Sequence, residues 1–405
     1  MRSGTPGFVA SRLKEARDAR GINTLISLAD LLQVDTSTVS RWESGQSAPS
    51  PETLIELAAV LRVRPSYFLR APFQHGPAPI FFRSLASDRK QDQARQRARL
   101  RWVQDISIVI QHYVNFPAVD VPDVMAGASY RQLRDEDMER IATDLRRHWK
   151  LGDQPITNVL DVLERAGFVV AADEMGTTAL DGLCNWSAHD KRPYLLLASD
   201  KMSFFRRQMD AAHEMAHAIL HRDVSEDGLK ADFEMIEKQA FRLASAFLMP
   251  AQSFSLAVGA SPTLSGLLAQ KDRMRVSVKA MIRRCRDLEL ISTDDERQLY
   301  KYYSGKGWTR EEPLDRMVPV AKPRLLSNAI GLIVDGGVRS KEDLLANEFT
   351  IPARDIEELL GLDAGWFSHI TGQVVQLRGA RNMRASGQTD GAEIIAFRPR
   401  HGIAD

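Results

Sequence analysis

Two histidines and a glutamate, His213, Glu214 and His217, have the H-E-x-x-H spacing of a catalytic zinc helix. On an α-helix, a step of four residues rotates by only about 40° and climbs about 6 Å, so both imidazoles project from one face and can bind one ion. Glu214 lies roughly 100° round the helix from His213, where it can reach a water molecule in an open fourth coordination position. The spacing therefore predicts a Zn²⁺ cofactor bound by His213 and His217, with Glu214 as the general base.

A tetrahedral site of this kind needs a third protein ligand, and His221, Glu234 and Glu237 are the candidates. His221 lies eight residues beyond His213, about 12 Å along the axis, which is too far to join the same ion unless the helix breaks. Glu234 lies near the start of the next predicted helix, where the helix dipole alone favours an acid. Glu237 lies on the apolar stripe of that helix, where a carboxylate needs a cation or a strong donor. We therefore expect Glu237 to be the third ligand.

Three runs contain or follow these residues: Ala212-His-Glu-Met-Ala-His217, Glu237-Lys-Gln-Ala240 followed by Ala244, and Leu248-Met-Pro250. With them, the segment from about Asp135 to Pro250 resembles the ImmA/IrrE family of zinc metallopeptidases. The chain departs from the family pattern at Phe241, where Asn is usual, and at Leu243, where Phe is common. The departures concern the support around Glu237 and leave the implied ligands unchanged. A short buried strand predicted at Arg192–Ala198 would flank such a site.

The N-terminal segment has the periodicity of a small helical bundle. A short helix is predicted between Asp35, its N-cap, and Gly45, just past its end. Val39 and Trp42 face inward on this helix. The residues left facing outward, whose donors and acceptors suit base edges in the major groove, are Thr36, Ser37, Ser40 and Arg41.

This segment also contains Leu28-Ala29, Val39-Ser-Arg-Trp-Glu-Ser-Gly45 and, at residues 49–54, the run Pro-Ser-Pro-Glu-Thr-Leu. With these runs, the stretch from about Phe8 to Leu69 resembles the XRE (Cro/repressor-like) helix-turn-helix family. The resemblance implies a five-helix domain that binds double-stranded DNA and reads bases through Thr36, Ser37 and Arg41. The alternative is a helical bundle used for protein contacts.

Charge indicates how such a domain would bind DNA. Residues 1–70 carry nine Lys or Arg against seven acids, a net charge of +2, and the whole chain carries +1. One weakly basic domain should hold DNA poorly. We therefore expect a homodimer on a palindromic operator.

Length and composition predict several domains and a cytoplasmic protein with no membrane partner. The 405 residues are 44% hydrophobic, enough for more than one core. The sequence shows neither an apolar run long enough to span a bilayer nor a secretory signal. Its two cysteines, Cys184 and Cys285, are isolated, which argues against a disulfide framework and a thiolate zinc site.

The predicted fold class is mainly α (α+β): a five-helix DNA-binding domain, a zincin-like metallopeptidase domain with a small sheet, and a helical C-terminal extension. The predicted boundaries are 1–70, 71–117 for a linker and long helix, 118–252, 253–371, and 372–405 for a tail with a terminal strand at Ala392–Phe397. The linker runs from Pro72 to Pro79, and the long helix has a basic first half that could contact phosphates. Ser340 to Leu360 has the rhythm of a second helix-turn-helix, although such helix pairs are also common in protein cores.

Two functions remain open. In the first, the protein is a DNA-binding transcriptional regulator, a repressor, whose zinc metallopeptidase domain cleaves the chain itself or a partner repressor in response to stress or a mobile element. In the second, the zincin-like domain is a non-proteolytic sensor of a metal or small metabolite. The two differ in their need for Glu214. The residue that would stabilise the tetrahedral intermediate is not identified, and His189, His221 and Arg222 are the candidates.

Overall fold

The computed structural model describes residues 4–73, 81–82, 90–176, 180–200 and 203–368. The predicted strand Ala392–Phe397 and most of the predicted linker lie outside the described residues. Helices dominate the described part of the chain, and a small mixed sheet accompanies them. The predicted class, mainly α with a small sheet, is confirmed.

The N-terminal helices begin where their capping residues predict. The side chains of Thr24, Asp35 and Ser50 accept hydrogen bonds from backbone N–H groups in the first turns of three helices. A short 3-10 helix, Pro65–Leu69, follows them. The four α-helices of this region are α1 (Ala10–Ala19), α2 (Leu25–Leu32), α3 (Thr36–Glu43) and α4 (Pro51–Val60).

A single sheet lies at the centre of the described residues. Its strands are β1 (Phe81–Phe82), β2 (Val169–Asp173), β3 (Gly182–Trp186) and β4 (Pro193–Ala198), in the order β1-β3-β4-β2. The β2 and β4 strands are parallel, and the other two pairings are antiparallel. The β4 strand corresponds to the one predicted at Arg192–Ala198.

Helices cover both faces of this sheet, which explains why the strands read as continuous apolar runs. The side chains of Val170 and Leu195 enter one core, together with the helices that carry the H-E-x-x-H motif and Glu237. Their neighbours Val169 and Leu196 enter a second core on the opposite face, formed with the N-terminal helices and with helices from the end of the described chain. The sheet therefore separates two apolar cores.

The remaining helices surround these cores. The predicted long helix is α5 (Lys90–Gln111), and a short 3-10 helix occupies Tyr130–Gln132. The helices between residues 135 and 248 are α6 (Asp135–His148), α7 (Val159–Arg165), α8 (Phe204–Leu220), α9 (Glu226–Ala231) and α10 (Phe233–Leu248). Those that follow are α11 (Ala251–Val258), α12 (Leu264–Met274), α13 (Val278–Asp287), α14 (Thr293–Gly305), α15 (Leu325–Asp335), α16 (Lys341–Asp343) and α17 (Ala353–Leu360).

Two segments, α5 and Ser340 to Leu360, differ from what the sequence predicts. Arg99, in the basic half of α5, is buried and paired with Asp173 and Asp355, so it is not available to DNA phosphates. In the segment predicted as a second helix-turn-helix, a single π-type turn, Leu344–Glu348, follows α16, and α17 buries Asp355 and its apolar side against the rest of the protein. Within the described ranges, no helix has the length and apolar character of a membrane span.

Candidate functional site

The two motif histidines lie side by side on α8. Ser203 caps the start of this helix by accepting a hydrogen bond from the Arg206 N–H, and nearly every later position of the helix is buried. The His213 and His217 Nε2 atoms are 3.0 Å apart, and the planes of the two rings are nearly perpendicular. The helical spacing thus brings two imidazole nitrogens to one point in the core.

Helix α10 packs against α8 and places Glu237 at the same point. Its Oε1 lies 3.1 Å from His217 Nε2, and its Oε2 lies 3.4 Å from His213 Nε2. Burial raises the pKa of Glu237, but the adjacent imidazoles of His213 and His217 outweigh burial and lower the pKa to about 2. Glu237 is therefore an ionised carboxylate beside two imidazoles.

The three side chains have the spacing that a tetrahedral ion requires. Zn²⁺ binds imidazole nitrogen and carboxylate oxygen at about 2.0–2.1 Å, so two tetrahedral ligand atoms lie about 3.3–3.4 Å apart. Here the two Nε2 atoms are 3.0 Å apart, and each lies 3.1–3.4 Å from one of the two carboxylate oxygens of Glu237. Two imidazole nitrogens and one carboxylate also match the donors of catalytic zinc sites.

Of the three sequence candidates for the third ligand, the structure brings only Glu237 to the pair of histidines. Glu234 is exposed in the first turn of α10. The α8 helix ends at Leu220, and His221 follows as its C-cap, with its Nδ1 3.2 Å from His217 Nδ1. His221 thus contacts the outer side of His217, away from Glu237.

His221 is completely buried and makes a second polar contact, with α10. Its Nε2 lies 3.0 Å from Gln239 Oε1, and Gln239 Nε2 donates to the backbone oxygen of Tyr130 at 2.7 Å. Burial, reinforced by His217, lowers the pKa of His221 to about 3, so its imidazole is neutral near pH 7. Sequence reasoning missed Gln239, whose only sequence signal is its position two residues beyond Glu237.

Glu214 is buried between α8 and strand β3. A Cβ atom added at Gly182 would lie 3.0 Å from Glu214 Cγ and 3.1 Å from Glu214 Oε1, so the glycine leaves room for this carboxylate. Cys184, two residues further along β3, is a buried thiol, and burial followed by the charge of Glu214 raises its pKa well above the ordinary value. Strand β3 thus packs against the Glu214 side chain through Gly182 and Cys184.

Two of the three candidates for stabilising a tetrahedral intermediate, His189 and Arg222, contact aromatic rings. The exposed His189 lies 5.0 Å from the ring of Phe73, and Arg222 lies 4.0 Å from the ring of Trp186. Phe241, the position where the chain departs from the ImmA/IrrE pattern, packs its ring 4.2 Å from that of His213. The substitution therefore gives His213 an aromatic neighbour.

Helix α3 presents the predicted DNA-contacting face. Val39 and Trp42 are buried, whereas Ser37, Ser40 and Arg41 are exposed and Thr36 is half-buried. Arg17 of α1 forms an ion pair of 2.6 Å with Glu43, which ties the end of α3 to the bundle. Two buried side chains and this ion pair thus hold α3 against the bundle, with Ser37, Ser40 and Arg41 towards solvent.

Two known families match separate parts of the chain. A helix-turn-helix family matches residues 13–68, and the IrrE N-terminal-like domain family matches residues 163–286, which include α8 and α10. A search of curated proteins finds no match. The two matches support a fusion of an XRE-type helix-turn-helix segment, at residues 13–68, with an ImmA/IrrE-like domain, at residues 163–286.

Proposed function

We propose that the protein is a DNA-binding repressor whose peptidase-like domain is a zinc metallopeptidase. In this proposal His213, His217 and Glu237 bind Zn²⁺, and Glu214 is the general base. The observation that carries the proposal is the triangle formed by His213 Nε2, His217 Nε2 and the Glu237 carboxylate, in which each nitrogen lies 3.1–3.4 Å from one carboxylate oxygen and 3.0 Å from the other nitrogen. The substrate is the chain itself or a partner repressor, and the signal is stress or a mobile element.

The reaction is hydrolysis of a peptide bond. When bound, Zn²⁺ supplies Lewis acidity that lowers the pKa of a coordinated water and polarises the peptide carbonyl. Glu214, as a carboxylate, accepts a proton from the attacking water as the new C–O bond forms. It then passes that proton to the amine that leaves as the C–N bond breaks.

Burial of the site favours a latent enzyme. The side chains of His213, His217 and Glu237 are 3%, 1% and 13% exposed, and Glu214 is 2% exposed. A peptide can reach Glu214 only after neighbouring side chains move. We therefore expect little turnover of generic peptides and cleavage confined to a cognate repressor or to the linker predicted at Pro72 to Pro79, most of which lies outside the described residues.

Fragment mapping by mass spectrometry tests the proposed peptidase. The wild type, Glu214→Gln and the matched control Glu234→Gln are incubated with zinc, operator DNA and cell extract. Glu234 is an exposed residue of α10 outside the triangle, so its variant should give the wild-type fragments. The Glu214→Gln variant should retain zinc, because it keeps the three ligands. It should not produce the wild-type fragments, because it lacks the general base.

The same experiment can favour the non-proteolytic sensor instead. Identical fragments from the wild type and Glu214→Gln, with operator binding of both still responsive to the inducing signal, would contradict the peptidase. The buried site would then hold a metal or a small metabolite that alters operator affinity.

The proposed DNA complex is a homodimer on a palindromic operator, with half-sites about one helical turn apart or a multiple of it. Thr36, Ser37, Ser40 and Arg41 would enter the major groove. The exposed polar face of α3, above a base fixed by Val39 and Trp42, supports this mode of binding.

A further inference from the structure

A chain of buried hydrogen bonds leads away from the outer nitrogen of His217. It runs from His217 Nδ1 to His221 Nδ1, from His221 Nε2 to Gln239 Oε1, and from Gln239 Nε2 to the backbone oxygen of Tyr130. The three side chains are 1%, 0% and 7% exposed, in that order, so bulk water does not compete for these contacts. We call His221 and Gln239 the relay.

The contact with the backbone oxygen of Tyr130 determines which atom donates in each hydrogen bond of the relay. A backbone carbonyl oxygen only accepts hydrogen bonds, so the Gln239 atom facing Tyr130 is its amide nitrogen. The Gln239 atom facing His221 is then the oxygen, which also only accepts. His221 Nε2 must therefore carry the proton and donate it to Gln239.

The same reasoning determines which nitrogen of His217 carries the proton. His221 Nδ1 and His217 Nδ1 lie 3.2 Å apart, so one proton fits between them. With its Nε2 proton directed at Gln239, the His221 ring offers Nδ1 as the acceptor. His217 Nδ1 must then carry the proton and donate it to His221. The lone pair of His217 is thereby left on Nε2, the atom that faces His213 and Glu237.

We propose that His221 and Gln239 are positioning residues that hold His217 in the tautomer and ring orientation needed to bind the metal through Nε2. This inference rests on the proposed function, because it assumes that His217 is a ligand. Ligand histidines generally donate their other ring N–H to an acceptor, and loss of such an acceptor lowers metal affinity about 10–100-fold. The relay supplies that acceptor as the Nδ1 atom of His221.

Zinc affinity of the full-length chain, measured by competition with a chromophoric chelator, tests the relay. His221→Phe keeps a planar ring and removes both nitrogens, and it should bind zinc about 10–100-fold more weakly than the wild type. His221→Asn places an amide oxygen near the former Nδ1 position and should restore most of the lost affinity. Gln239→Leu removes only the residue that orients His221, so it should cause a smaller loss.

Several results would overturn the relay. They are wild-type affinity in His221→Phe, equal losses in His221→Asn and His221→Phe, or no loss in Gln239→Leu. If His221→Phe does not fold, as judged by thermal unfolding without metal, Gln239→Leu and His221→Asn decide the question. Failure of the proposed metal site is distinguishable, because the wild type itself would then bind no zinc.

Discussion

At the residue scale, burial controls the chemistry of the candidate metal centre. His221 has no exposed surface, and burial followed by the neighbouring His217 lowers its pKa to about 3. Gln239 and, more distantly, Glu237 favour the charged form of His221 without outweighing burial. The folded protein therefore keeps this imidazole neutral at pH values where the unfolded chain would protonate it.

This difference predicts a pH dependence of stability in the metal-free protein. Between about pH 6.5, the ordinary imidazole value, and pH 3, the unfolded state binds a proton at His221 that the folded state does not. The free energy of unfolding should thus fall as the pH falls through this window. Urea unfolding at several pH values, with a chelator present, should show a steeper fall for the wild type than for His221→Phe. Parallel pH profiles of the two proteins would rule out this assignment.

Gly182 offers a second prediction, because it lies against Glu214. A Cβ atom at this position would lie 3.0 Å from Glu214 Cγ and 3.1 Å from Leu197 Cδ2. Gly182→Ala should therefore displace the Glu214 carboxylate, reduce Glu214-dependent cleavage and leave zinc binding intact, at a stability cost of about 1–3 kcal/mol. Gly305→Ala is the matched control, since its added Cβ atom would have no neighbour within 4 Å. Equal cleavage by the two variants would show that Gly182 does not position Glu214.

At the element scale, the short helices α3 and α17 differ in which side chains they bury. In α3 only Val39 and Trp42 are buried, and Ser37, Ser40 and Arg41 are exposed. In α17 the buried set includes Asp355 and Glu357, so this helix contributes polar side chains to the protein interior. Of these two helices, α3 therefore leaves more of its residues outside the core.

Arg41 of α3 carries the prediction for DNA recognition. Arg41→Ala should weaken binding to the operator by about 1–3 kcal/mol and have little effect on random DNA, because a base contact discriminates between sequences and a phosphate contact does not. Footprinting and binding titrations on both kinds of DNA measure the difference. Arg297→Ala is the control, since that arginine is 75% exposed on α14, far along the chain from α3. Equal losses on operator and random DNA would contradict base reading by Arg41.

The individual elements could be predicted where their signals are local. The cap of α3, the strand at Arg192–Ala198 and the helix that carries Glu237 all follow from short runs of residues. The break between α12 and α13 could not be predicted, because Arg275 adopts a left-handed conformation with φ of 59° and is neither Gly nor Pro. Pairing of His221 with Gln239 depends on how α8 packs against α10, so spacing alone does not reveal it.

At the scale of the whole molecule, one buried ion-pair network joins segments that are distant in sequence. Arg99 of α5 binds Asp173 at the end of β2 through two bonds of 2.8 Å and also binds Asp355 of α17. Asp355 in turn accepts two hydrogen bonds of 2.7 and 2.8 Å from Arg20, which follows α1. Burial raises the pKa of Asp355, but the two arginines outweigh burial and hold the pKa below its ordinary value.

The network predicts a large loss of stability when its central acid is removed. Asp355→Ala leaves Arg20 and Arg99 without a shared carboxylate and should lower the free energy of unfolding by about 3–5 kcal/mol. Hydrogen exchange should also become faster in α17. Asp294→Ala, at a site whose side chain is 90% exposed, should change little. Similar unfolding free energies for the two variants would show that the network contributes no stability.

The long-range arrangement is the part of the fold that the sequence does not reveal. The predicted boundary at 252 separates α10 from the later helices, yet α13 packs in one core with α8 and α10, while α15 and α17 pack in the other with the N-terminal helices. Local periodicity predicts helices and does not determine which side of the sheet each one covers. The predicted domain boundaries, the dimer and the zinc ion all stay predictions.

The proposed metal site is tested most directly by the metal content of the full-length protein after loading with zinc and removal of free metal. The wild type and Glu214→Gln should each retain one zinc per chain, and the double variant His213→Ala, His217→Ala should retain none, because it loses two of the three proposed ligands. A second double variant, His112→Ala, His148→Ala, is the control, since both residues lie outside the triangle on exposed or half-exposed surface, and it should retain one zinc. Stoichiometric zinc in the His213→Ala, His217→Ala variant, or none in the wild type, would contradict the assignment of this site.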